Sequence, residues 1–141
     1  MSGDERILRV ARGWVEKAEN DLKNAAHTLK LGEDCPTDTV CFHAQQCVEK
    51  YLKALLVLAG VPFPRTHDIS ELLALSPPSV PVQLSLDEQR RLTLYATTTR
   101  YPGDEEPVTL EEARRAVAAA RRVKKALRAI MPREVLWKKR P

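Results

Sequence analysis

His43, Gln46, Lys50 and Lys53 recur within the segment FHAQQCVEKYLKALLVLAG at the spacing of one helical face. At about 100° per residue they fall in one narrow arc, opposite Ala44, Cys47, Val48, Tyr51, Leu55 and Leu58. Imidazole, amide and ammonium groups in one arc offer donors and positive charge to an anion, and imidazole also exchanges protons near neutral pH. The arc has an ordinary alternative, because Lys and Gln are common on the solvated face of a surface helix.

A second set lies outside this helix. Arg100 closes a TTTR run and is followed by Tyr101, Pro102 and Gly103, a turn signal. The guanidinium therefore leaves the helix end at a fixed place, where it can grip a phosphate or carboxylate bidentately or pair with Asp21, Asp104 or Glu105. His67, in PRTHD, either joins a site, caps a short following helix or bonds Asp68. Tyr101 either lines a site or packs with its hydroxyl at the surface. The chain carries no Gly-rich phosphate loop, no H-E-x-x-H and no Ser-His-Asp constellation, so no cofactor is expected.

Cys35, Cys41 and Cys47 recur every six residues. Six residues of helix turn through about 600°, so Cys41 and Cys47 point about 120° apart and do not converge on a metal. An odd count without C-x-x-C argues against a disulfide framework, and buried, reduced thiols are expected.

The elements that must position these groups are helices punctuated by turn signals. Ile7, Val10, Ala11, Trp14, Ala18, Leu22, Ala25 and Leu29 keep a helical stripe that should end near Leu31, where GEDCPTD interrupts it. A second helix is expected from about Thr39 to Ala59, with Thr37 or Asp38 as its cap and Gly60 and Pro62 as its stop. A short third helix fits Ile69 to Leu75, and SPPSVPVQ then excludes helix through Pro77, Pro78 and Pro81. Ser85-Leu-Asp-Glu88 has capping-box form before a fourth helix from about Leu86 to Thr98, and Thr109-Leu-Glu-Glu112 repeats it before a last helix reaching Ile130.

These signals predict an all-α, up-and-down bundle of four main helices plus a short extra one, spanning residues 1–131 with a basic tail at 132–141. A chain of 141 residues, 43% hydrophobic and 30% charged, suits one globular core. MSGDERILRV lacks an apolar run of signal-peptide length, and Ala54 to Ala59 is too short to cross a bilayer, so a cytoplasmic protein without membrane contact is expected.

Residues 109–141 hold eleven Lys and Arg against three acids, a net +8; the whole chain is +4, so residues 1–108 carry −4. On the last helix Arg114, Arg121, Lys125 and Arg128 share a face away from Ala113, Val117, Ala120 and Leu127, with Arg115 and Arg122 flanking it. Such a face attracts phosphates through counterion release, or serves as solvated surface with cations placed favourably toward a helix C-terminus. In the terminal LWKKRP, Trp137 could stack a base or belong to a disordered tail.

HAQQCVEKYLKALL, followed by PRTHD and later by TTTRYP, resembles the HEPN family of small helical domains. Trp14, Ala18, Asp21, Leu22 and Ala25 match the spacing W-x3-A-x2-D-L-x2-A of HEPN first helices, and the alanine-rich segment after Thr109 is similar to their last helix. The resemblance runs in order over roughly residues 8 to 130. It implies a helical bundle and a homodimer. Many HEPN domains are metal-independent ribonucleases in which an arginine is followed four to six residues on by a histidine. There the RNA 2′-hydroxyl attacks the adjacent phosphate, with His moving protons and Arg stabilising developing charge.

This chain departs from that pattern. Tyr, Pro, Gly, Asp, Glu, Glu and Pro follow Arg100, no histidine occurs after His67, and Arg65 precedes His67 by two residues only. The RYP form instead resembles the HEPN branch found beside minimal nucleotidyltransferases. By that resemblance Gln46, Lys50, Lys53, His67 and Arg100, with His43 and Tyr101, bind nucleotide or RNA phosphate, or the chain partners the enzyme in a toxin–antitoxin-like pair. The alternatives are a ribonuclease using His43 or His67 with Arg100, and a structural assembly partner.

Overall fold

Most helices in the computed structural model, which describes residues 2–97 and 107–136, begin where a side chain accepts an otherwise unpaired amide. Ser2 caps α1 (Gly3–Leu29) by accepting from the Glu5 amide, and Asp68 caps α3 (Ile69–Leu75) by accepting from Glu71. Ser85 and Glu88 close a full capping box at α4 (Leu86–Thr97), each side chain accepting from the other's backbone N–H at 3.0 Å. Thr109 caps α5 (Leu110–Arg128). Its partner Glu112 does not complete the box, because its carboxylate is taken by the Tyr95 hydroxyl at 2.6 Å.

Helix α2 (Thr37–Ala59) starts differently from the sequence expectation: Pro36 holds the cap position. The Thr37 hydroxyl turns away and donates to the Val108 carbonyl at 2.6 Å, which ties the start of α2 to the segment before α5. Its end is as expected. Gly60 takes the left-handed conformation, φ 70°, and its N–H returns to the Leu56 and Val57 carbonyls. Helix α1 ends two residues early, at Leu29, before a 3₁₀ turn over Gly32–Asp34. The segment from 132 opens with a short helix, α6 (Arg133–Leu136), whose Val135 is buried and whose Glu134 carbonyl accepts from Arg12 of α1.

The described residues are helical and contain no strand, an all-α bundle. Helix α2 is its axis, with α1, α3, α4 and α5 all packed against it. Tyr51, Leu52 and Leu56 are fully buried, each contributing about 1.5–3 kcal/mol of hydrophobic stabilisation. A helix wrapped this way has little solvated face, so Lys53 of the polar arc is interior, and Gln45 and Glu49 are buried with it among the apolar residues. The three cysteines are free and buried. No described helix is long and apolar enough to cross a membrane.

Candidate functional site

Ala18, Leu22 and Ala25 of α1 face α2, which brings Asp21 to the edge of that seam. There Asp21 accepts from Lys50 Nζ at 2.6 Å and contacts His43 Nδ1 at 2.8 Å, one carboxylate oxygen to each. His43 and Lys50 lie seven residues apart, about two helical turns, so a single carboxylate fits between them.

A second carboxylate repeats the arrangement deeper. Glu49, only 3% exposed, accepts from Lys53 Nζ at 3.0 Å and from Gln45 Nε2 at 3.1 Å, and contacts His67 Nδ1 at 2.8 Å. His67 arrives from the loop between α2 and α3, and its carbonyl also accepts from Gln45 at 3.1 Å. Gln46 donates to Gln45 Oε1 at 2.6 Å, extending the chain of bonds to the surface. The Lys53 ammonium sits 5.4 Å from the Trp14 ring centre and 5.9 Å from that of Phe63, aromatic faces that favour a desolvated cation.

Each carboxylate thus holds one imidazole and one ammonium, and the two lysines neutralise the two acids. An ionised carboxylate only accepts, so the bond assigns the proton of each histidine to Nδ1 and leaves Nε2 as the outward-acting nitrogen. Neither Nε2 has a partner among the described residues. The His67 side chain is 57% exposed and that of His43 27% exposed, so both rings can meet a ligand. A neutral ring offers a lone pair at Nε2, and a protonated ring donates a hydrogen bond there.

The structure therefore places His43 and Lys50 on Asp21, and gathers Gln46, His67 and Lys53 into a separate network around Glu49. Lys53 is inside it, 8% exposed and committed to Glu49. Arg100 and Tyr101 lie outside the described residues. Asp21, weighed from sequence as a partner for Arg100, has both oxygens engaged by His43 and Lys50. Three members were not assigned to a site from sequence: Asp21, Gln45 and Glu49. The spacing Gln45-x3-Glu49-x3-Lys53 was a usable signal, since residues four apart meet on a helix.

On the opposite flank of α1, Glu19 accepts from the Tyr51 hydroxyl at 2.7 Å and from Arg128 at 3.0 Å, and pairs with Lys124 at 3.2 Å. Burial alone would raise the Glu19 carboxyl, but the Tyr51 hydrogen bond and the two cations outweigh it and hold it below the usual carboxylate range. Burial, reinforced by Glu19, pushes the Tyr51 hydroxyl up, and burial likewise raises the Cys47 thiol. Of the cations on α5, Arg115 pairs with Glu111 and Arg122 with Glu88.

A HEPN domain family model matches residues 11–130. The crystal structure of TT1696 from Thermus thermophilus is similar, with a TM-score of 0.68 and 31% identity, covering 86% of this chain and 98% of that one. ST0689, described as an archaeal HEPN homologue, gives a TM-score of 0.65 and 29% identity over 84% of this chain and 95% of its own. Over 63 residues, 45% of this chain, the sequence is 41% identical to "Putative toxin MJ1304" of Methanocaldococcus jannaschii. That match spans 39% of the length of the relative.

Proposed function

This chain belongs to the HEPN family, and from that premise we propose that it binds the phosphate of a nucleotide or RNA along the polar face of α2. It acts as the binding member of a toxin–antitoxin-like pair, a homodimer whose partner is a minimal nucleotidyltransferase. The partial likeness to a protein named as a toxin supports the pairing. The observation that carries the binding role is the pair of histidines whose Nδ1 atoms are fixed by Asp21 and Glu49. With Nδ1–H committed to the carboxylate, each ring meets phosphate as an imidazolium donating from Nε2 in one fixed direction, and Lys50 shares the carboxylate that holds His43. Arg100 and Tyr101 join the site in this proposal on the strength of the family resemblance.

Titration calorimetry with adenosine nucleotides and a short single-stranded RNA tests it. His67→Ala and His43→Ala should each weaken binding by about 1.5–3 kcal/mol, the worth of a charge-assisted hydrogen bond, while Lys17→Ala leaves it unchanged. Equal affinity in all four proteins would remove the histidines from the site.

The carboxylate-held histidines also suit a metal-independent ribonuclease, because the same geometry orients a general base. Chelator-containing assays separate the two. The binding role predicts no cleavage of single-stranded RNA above background, whereas cleavage abolished by His67→Ala or His43→Ala, with folding retained, would make the chain a nuclease.

A further inference from the structure

We infer that the groove between α5, α1 and α6 is a second binding site, separate from the polar face of α2, which takes the phosphodiester backbone of a nucleic acid. Every charged residue lining it is a cation: Arg121, Lys124, Lys125 and Arg128, over a floor that includes Leu22 and Leu136. Two residues of helix turn through about 200°, so Glu19 and Asp21 leave α1 on opposite flanks, and the groove cannot merge with the Asp21 cluster.

Glu19 makes the groove a built feature rather than a loose fringe of side chains. Held by the Tyr51 hydroxyl, it fixes Lys124 and Arg128 together. One carboxylate against two cations leaves a surplus of positive charge, and the depressed pKa of Glu19 keeps that clamp intact well below neutral pH. Arg121 and Lys125, one turn apart and exposed, have no ion-pair partner among the described residues. The adjoining cleft, which shares Arg128 and Leu136, is lined by two acids, Glu16 and the clamping Glu19, and one further base, Lys23, so the surplus of positive charge lies on the α5 side.

The shape selects among anions. From Arg121 to Arg128 the cations run roughly 10 Å along α5, longer than one phosphate needs. Ammonium and guanidinium groups in a row meet phosphate oxygens rather than base edges, so the backbone is recognised and binding is sequence-tolerant.

Fluorescence anisotropy with a mixed-sequence single-stranded RNA, repeated across a salt series, tests the site. Arg121→Glu with Lys125→Glu should weaken binding at least tenfold at low salt. It should also flatten the slope of log K against log salt by about 1.4, which is 0.7 for each phosphate no longer neutralised. Arg9→Glu with Lys17→Glu changes the net charge equally and should leave both values near wild type; circular dichroism verifies that all variants fold. His43→Ala, in the other site, should keep the wild-type salt slope, so a failure of the α2 proposal would be seen separately. Equal losses in the two charge-reversal pairs, an unchanged slope in the groove pair, or displacement of RNA by polyglutamate at equal charge concentration would overturn the assignment.

Discussion

Replacing Glu49 with Gln removes the charge that three side chains share. Glu49 is 3% exposed and Lys53 8% exposed, so the ammonium would be left buried without its counter-ion while an amide N–H₂ meets donors from Lys53, Gln45 or His67. Removing one partner of a buried ion pair costs about 3–5 kcal/mol. The Trp14 and Phe63 rings remain beside Lys53 and offset roughly 1 kcal/mol of that loss. The net expectation is a destabilisation of about 2–4 kcal/mol, a fall in melting temperature on the order of 10 °C for a chain of this size. Urea and thermal unfolding followed by far-ultraviolet circular dichroism measure it. The double change Glu49→Gln with Lys53→Met takes away both charges and should be less destabilised than Glu49→Gln alone. A loss under about 0.5 kcal/mol for Glu49→Gln, or strict additivity in the double variant, would show that Lys53 is not held by Glu49 as described.

Glu19 supplies a pH test: its carboxyl is held below its ordinary value of 4.5, so its stabilisation is present above that pH and lost as pH falls through the lower folded value. The stability gap between wild type and Glu19→Gln should therefore be full at neutral pH and shrink below about 4.5 in a series of thermal melts. Ser85→Ala opens the capping box at α4 and should cost about 1 kcal/mol in urea unfolding, with no change in nucleotide affinity. Arg100→Ala should weaken nucleotide binding by about 1.5–3 kcal/mol in calorimetry, and unchanged affinity would remove Arg100 from the site.

Helix boundaries set by local chemistry were legible in the sequence. Ser85 with Glu88, Thr109 with Glu112 and the glycine at 60 each announce an end through a bond formed within a few residues, and the third helix, Ile69–Leu75, spans the residues expected for it. What depends on distant packing was not legible. Periodicity divides α2 into one apolar and one polar side, whereas four other helices pack around it and bury Glu49 and Lys53 as well. Glu49 falls between the two sides in sequence, and its role appears only when the loop after Pro64 returns His67 to it. Asp21 belonged to a recognisable first-helix pattern, but its selection of His43 and Lys50 follows from how α1 lies on α2. Pro36 displaced Thr37 from capping because Val108 offered the hydroxyl a carbonyl. Helix α6, four residues long, is too short to show a period.

In the proposed mode of binding, His43 and His67 present Nε2 to a phosphate while Asp21 and Glu49 keep Nδ1. Nitrogen-15 NMR of the imidazole rings during titration with an adenosine nucleotide tests this, because the two ring nitrogens report separately. The predicted result is a protonated Nδ1 on both rings throughout, with Nε2 of both gaining a proton as nucleotide saturates the protein and His27 unaffected. Saturable binding with no change at either Nε2 would contradict it and place the ligand elsewhere on the molecule.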